Sequence, residues 1–307
     1  MAIFSKERLL HLYASFSSSA PVAFVKAHKK AISVAIIILF FGFFGYYIIA
    51  NPSVLVSIAQ VGPLVALGVL VLYFLVLLTN VAIMHVSIRL HEKNMPLRQN
   101  FLLIIYSSLV NFFGPLQSGP GVRAVYLKSK IGLRIRDYTY ATLVYYLAFG
   151  LLNLSLLFIT VSIWLTIAGV IVSAVITLLA SRFFSSPRRR AYALGIFIAT
   201  LVQVVLMVSI YTIELQAVST SQSLTLLQTA SYTGSANLSL FVSLTPGGIG
   251  VREAFLVFTQ SLHQVQLSSI VASGIVDRAL YILLLGILFV ISSTMHLRQL
   301  FTSKKIS

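Results

Sequence analysis

Apolar positions along the chain gather into long runs: 31–50, 63–88, 100–116, 138–180, 191–213, 224–244 and 270–294. A helix needs about 20 apolar residues to cross the hydrocarbon of a bilayer. The runs therefore predict an all-α integral membrane protein with about six full transmembrane helices, 138–180 being long enough for two joined by a tight turn. Two runs differ from the rest. The run 100–116 contains Gly114 and Pro115 and is followed by Gly119, Pro120 and Gly121; 224–244 is followed by Pro246, Gly247, Gly248 and Gly250. Proline and glycine break helices, so these two segments are expected to be re-entrant helical hairpins rather than crossings.

Composition agrees. Hydrophobic types make up 58% of 307 residues, charged types 9%, and the mean hydropathy is +0.98. A typical soluble domain is about a quarter charged, so a soluble globular enzyme, a disordered tail and a coiled coil are excluded. With no cysteine, disulfides, Cys-ligated zinc, iron–sulfur clusters and thiol catalysis are excluded as well. The balance of 22 Lys+Arg against 6 Asp+Glu gives a net charge of +16. In a soluble chain this would suggest nucleic acid as partner; here it reads as a topology code, because basic loops stay in the cytoplasm.

All but two of the 22 cations fall in five clusters between the runs. These are Lys6, Arg8, Lys26, Lys29 and Lys30; Arg89, Lys93 and Arg98; Arg123, Lys128, Lys130, Arg134 and Arg136; Arg182 with Arg188, Arg189 and Arg190; and Arg298, Lys304 and Lys305. Both flanks of 100–116 are basic, and a full crossing there would export a cluster; a dip that returns to the cytoplasm would not. By the same parity 223–269 begins and ends outside, and a second hairpin enters from the opposite face. The organisation expected is a cytoplasmic N-terminal segment 1–30, a transmembrane domain 31–295 and a cytoplasmic tail 296–307, in the cell membrane with both termini inside. No A-x-A cleavage signal follows 31–50, so that run is a retained anchor, not a signal peptide. Leu9, Leu10, Leu12, Tyr13 and Phe16 recur at roughly helical spacing; an interfacial helix and a frayed tail are both open.

The two breaker regions resemble each other. Residues 119–127 (GPGVRAVYL) align with 248–256 (GIGVREAFL), five of nine positions being identical. Each half, about 63–160 and 191–294, then reads as span, re-entrant segment, span in opposite orientation. Paired discontinuous helices in inverted repeats are a transporter pattern, with the site near the midplane; a chance match of two Gly-rich connectors is the alternative. The cations outside the code, Arg252 and Arg278, lie beside Glu253 and Asp277. Ionisable groups at membrane depth are costly and mark function by default. Neighbouring residues do not face each other on a helix, so the partners expected are Asp277 with Arg252, or Arg278 with Glu253, whether for function or to fix helix packing. Gly248 and Gly250 permit close backbone approach, a helix is expected to restart near Val251, and its free N–H groups with Arg252 would suit an anion. The glycines are no dinucleotide fingerprint, lacking a preceding strand. The six histidines are scattered and expected at the interface; Tyr13, Tyr46, Tyr47, Tyr73 and Trp164 fit aromatic belts or helix packing. No cofactor or metal site is read from the sequence.

The stretch 245–254 (TPGGIGVREA) is similar to the Pro-Gly-Gly-x-Gly-x-Arg-Glu signature of the lysylphosphatidylglycerol synthase transmembrane, or flippase-like, family. Asp277, Arg278 and Tyr281 resemble its downstream Tyr/Arg-containing helix, and Pro115 through Arg123 its Gly-Gly-Asp-x-x-Arg element; the resemblance covers about 31–293. Two departures stand out. Pro120 and Gly121 occupy the place of the acidic residue, and Tyr145-Tyr146 that of the family's Glu-Arg pair. The resemblance implies a membrane domain that moves phospholipid between leaflets, here standing alone without the soluble aminoacyltransferase domain, since the chain stops shortly after the last run.

Three functions follow. The first is a lipid flippase or transporter that holds an anionic phospholipid or lipid-linked head group at Arg123, Pro246, Gly247, Gly248, Gly250, Arg252, Glu253, Asp277 and Arg278, the arginines on phosphate and the acids balancing charge. The second is a membrane subunit of a lipid-modifying system. Its weakness is that no nucleophile–base or metal constellation is present, so the chain itself is not read as an enzyme. The third is a structural or accessory protein whose charges pair only with one another. The partners expected are membrane lipids, with a separate lipid-synthesising enzyme as a further candidate and no nucleic acid.

Overall fold

The computed structural model describes residues 49, 61–113, 118–184, 186–219, 223–242 and 251–302, with side chains through 294. Among the described residues all regular structure is helical. In chain order the elements are α1 Pro63–Arg89, α2 Leu97–Phe113, α3 Gly119–Ile131, α4 Ile135–Leu157, α5 Ile163–Ala180 with a 3-10 turn Ser181–Phe183, α6 Arg189–Val218, α7 Leu226–Ser239, α8 Val251–Phe258, α9 Gln260–His263 and α10 Leu267–Thr302. The chain divides into two compact units, Ser53–Val290 and Met1–Pro52 with Ile291–Ser307. The first holds every contact described below.

Among the described residues five helices are long and apolar enough to cross a membrane: Pro63–Arg89, Ile135–Leu157, Ile163–Phe183, Arg189–Val218 and Leu267–Thr294. The long run 138–180 does resolve into two helices. The first expected span, 31–50, lies outside the described residues except for Ile49. The two segments with breakers form no such helix. α2 has 17 residues and α7 has 14, or about 26 and 21 Å at 1.5 Å per residue, both short of the roughly 30 Å hydrocarbon. One run was bounded too early: α6 continues from Ile213 to Val218 and carries Glu214 inside the helix.

Local chemistry sets the ends. Pro63 opens α1 and Ser162 caps α5 by accepting from the Leu165 N–H. Thr225 and Gln228 form a reciprocal capping box at the start of α7. Gly132, at φ +65°, closes α3 in the left-handed conformation that glycine adopts without strain. Between α1 and α4, half-buried His91 meets the Asp137 carbonyl through Nε2 at 2.9 Å. Desolvation pulls its pKa below the usual imidazole value.

α6 packs along α1. Gly195 lies beside Val86, and the Gln203 side chain donates to Asn80 Oδ1 at 3.4 Å. Positions rise along one helix as they fall along the other, so the two run antiparallel. Each is followed by a short helical pair, α2–α3 after α1 and α7–α8 after α6, and each pair packs on itself. The N-terminus of α3 sits directly on α2: the Asn111 side chain accepts the Gly119 N–H at 3.3 Å. A Cβ at Gly119 would lie 2.6 Å from the Ser107 carbonyl oxygen, so only glycine lets the two come this close. Ala141, Val144 and Ile196 form one apolar cluster with Ile83 and Leu90; Ala148, Leu152, Phe197 and Val204 form another.

α7 is held differently. Thr229 through Asn237 are all buried, mostly as small or polar residues. Its Ser231 hydroxyl donates to the Leu157 carbonyl at 2.8 Å, and Asn237 donates to Asn153 Oδ1 at 2.8 Å. Lipid is as apolar as leucine, so helices in a bilayer associate through close backbone approach and interhelical hydrogen bonds. The α4–α7 contact has both features.

Candidate functional site

α8 and α10 present adjacent charged residues to each other in matching register. Arg252 pairs with Asp277, and Arg278 pairs with Glu253. Both pairings expected from the spacing are therefore formed. Asp277 lies ten residues into α10, about 15 Å along it. It is 5% exposed, as is Arg252. The Tyr73 hydroxyl from α1 donates to the second carboxylate oxygen of Asp277. Arg252 also stands over the Tyr211 ring of α6, its guanidinium carbon 5.1 Å from the ring centroid, a cation–π geometry. Gly274, one turn before Arg278, leaves room for Glu253, whose Oε1 would lie 3.2 Å from a Cβ there.

These groups form one wall of a cavity of about 230 Å³. Arg123 from α3, Tyr145 and Tyr146 from α4, and Gln203 from α6 line other parts of it. Thus the aligned arginines of the two repeated motifs, Arg123 and Arg252, reach the same space. Arg123 forms no ion pair among the described residues, and its Nε has no hydrogen-bond partner there. Arg252 spends Nη1 on Asp277, whereas its Nε and Nη2 are buried without a partner among the described residues. The donors left over are the kind that fit a phosphate oxygen. Tyr145 donates to Gln203 Oε1 at 3.2 Å, and Tyr146 packs edge-on against Phe241.

Arg123, Arg252, Asp277 and Arg278 of the expected set line the cavity, and Glu253 stands behind Arg278. Pro246, Gly247, Gly248 and Gly250 lie outside the described residues. Sequence reasoning missed several contributors. Tyr73, expected in a belt or in helix packing, does pack against the Tyr281 ring, centroids 5.1 Å apart, and its hydroxyl serves Asp277. Asn80, Gln203 and Tyr211 are polar groups inside apolar runs, a signal that was present. His263, expected at the interface, is fully buried, its Nε2 3.0 Å from the Leu256 carbonyl oxygen. Glu214 is fully buried too, with neither carboxyl oxygen hydrogen-bonded among the described residues. No protein-family model, curated protein or solved structure matches the chain.

Proposed function

We propose that the chain is a flippase- or transporter-like protein of the cell membrane that handles an anionic phospholipid or a lipid-linked anionic head group. In this reading 31–50 supplies a sixth span, α2–α3 and α7–α8 are re-entrant hairpins entering from opposite faces, both termini are cytoplasmic, and the two halves are an inverted repeat. The resemblance to the flippase-like family belongs to the same proposal. The observation that carries it is Arg123: a guanidinium without a carboxylate partner among the described residues lines a cavity where Arg252 also holds uncommitted donors. An unpaired cation facing a cavity at membrane depth is costly, and an anion that enters relieves that cost. Phosphate would bridge Arg123 and Arg252, while Asp277 and Glu253 keep the remaining charge balanced. The aromatic wall of Tyr145, Tyr146 and Phe149 excludes water from the bound group.

Leaflet exchange in proteoliposomes tests this. Fluorescent phosphatidylglycerol exchanges faster than in protein-free vesicles, and Arg123→Gln cuts the rate roughly tenfold or more, the cost of losing charge-assisted hydrogen bonds. Because Arg123→Gln breaks no ion pair seen here, its unfolding temperature stays at the wild-type value. Absence of accelerated exchange for any anionic lipid would overturn the reading. The two closed ion pairs favour a second reading, a purely structural lock between α8 and α10. It predicts that Arg123→Gln leaves every measured property unchanged.

A further inference from the structure

We infer that Glu214 is a proton-binding group of this site, so that an anion entering the cavity takes up a proton with it. The inference rests on the head-group reading above and deepens it.

Glu214 lies one turn beyond Tyr211 on the helix face that presents Gln203, Met207 and Tyr211 to the cavity. It stands behind that wall, fully buried, and neither carboxyl oxygen has a hydrogen-bond partner among the described residues. The groups around it are Tyr73 of α1, Tyr211 of its own helix, Tyr232 of α7, Arg252 of α8 and Asp277 of α10. His263 meets Tyr232 edge-on, with ring centroids 5.6 Å apart. α4 places its nearest titratable group, Tyr145, on Gln203, three turns back along α6. α5 contains no titratable residue.

Charge counting gives the mechanism. Three arginines (123, 252 and 278) face three acids (214, 253 and 277) in or behind the cavity. Two of the acids have arginine partners, Asp277 with Arg252 and Glu253 with Arg278. Glu214 has none among the described residues, and an ionised carboxylate desolvated without a partner is strongly disfavoured. The anion-bound site therefore holds it as the neutral acid, and the empty site lets it ionise only above its titration. The site then carries one uncompensated positive charge, the complement of a phosphodiester. Loss of the proton makes the site neutral and sets a carboxylate in competition with the anion for Arg252. Proton and anion binding therefore strengthen each other reciprocally. Above the Glu214 titration the step balances: one proton from water joins an oxygen of the ionised Glu214 as one monoanion binds, and both leave together, with no net charge moved.

Two measurements test this, with phosphatidylglycerol as probe; its phosphodiester keeps one charge from about pH 5.5 to 8.5. In the wild type, the exchange rate at sub-saturating lipid falls with rising pH, approaching about tenfold per unit above the Glu214 titration, the slope for one coupled proton. Glu214→Gln, which mimics the protonated acid, holds the wild-type low-pH rate across the range. A variant with the wild-type pH profile, or one that folds but exchanges nothing at any pH, overturns the inference. The second measurement needs no variant: in phosphatidylcholine nanodiscs, at a pH where the wild-type exchange rate falls with rising pH, adding phosphatidylglycerol draws up to about one proton per bound anion from a pH indicator. Binding without proton uptake overturns the inference and leaves the head-group reading standing. Wild-type protein that neither binds nor exchanges the lipid at any pH overturns both.

Discussion

Arg252→Gln is expected to destabilise the protein by about 3–5 kcal/mol, because removing one partner of a buried ion pair strands the other. Asp277 would be left on the Tyr73 hydroxyl, with Glu214 nearby and no cation to offset it. Asp277→Asn strands a guanidinium, which cannot give up its proton, but there Glu214 can ionise and supply the missing counter-charge. Adding Glu214→Gln to Asp277→Asn should therefore cost more than the two single changes summed, whereas Arg252→Gln with Asp277→Asn should cost less than theirs. Contacting residues show such couplings at about 0.5–3 kcal/mol, and distant ones add. Denaturant unfolding of the three single and two double variants in one lipid environment provides the check; simple additivity across both cycles would show that these groups do not share one charge balance. Arg278–Glu253 is the internal comparison. Its side chains are 11% and 23% exposed against 5% and 8% for Arg252–Asp277, so solvent screens the pair more and breaking it should cost less.

The ion pairs were legible in the sequence, and the carboxylate buried behind the cavity wall was not. Charges in apolar runs stand out because each is costly there, and the equal separations 252 to 277 and 253 to 278 make both pairings possible at once. Glu214 carries the same kind of charge, yet it follows Ile213, where an apolar run appears to end, and reads as the first residue outside. Only the continuation of α6 to Val218, with Tyr232 and Arg252 arriving from other helices, turns that boundary residue into a buried one. The spans were legible for the reason that lipid demands: every backbone group must be satisfied within the helix, so length and apolarity nearly suffice. The packing was less so. Nothing in a hydropathy profile separates Tyr73, which serves Asp277, from Tyr140, which is largely exposed. Thr229 to Ser239 lies within the run 224–244, and its small and hydroxyl-bearing residues are what bring α7 against α4.

Gly234 marks that approach most sharply, and Gly234→Ala is expected to cost about 1–3 kcal/mol, as overpacking does, with Gly234→Val costing more. A Cβ there would lie 2.6 Å from both the Asn153 carbonyl oxygen and the Leu157 nitrogen, and 3.1 Å from the Leu156 carbonyl carbon. All three are backbone atoms, so no side chain can rotate away and the helices must separate. Separation lengthens the Asn237–Asn153 and Ser231–Leu157 hydrogen bonds, each 2.8 Å in this structure. Two other glycines serve as controls. At Gly150 a Cβ would meet only the Phe241 ring, at 3.5 Å, and at Gly68 nothing within 4 Å. Both are helical, so alanine there should be neutral or gain up to about 1 kcal/mol of helix propensity. Thermal unfolding of the three alanine variants compares one chemical change in three surroundings, and a Gly234→Ala protein as stable as Gly68→Ala would mean that the close approach carries no weight. The consequence reaches the cavity, because α7 also places the Tyr232 ring 5.7 Å from that of Tyr211, the residue under Arg252. Shifting α7 moves the wall that keeps Glu214 dry, so Gly234→Ala should flatten the pH dependence of exchange, whereas Gly68→Ala should leave it intact.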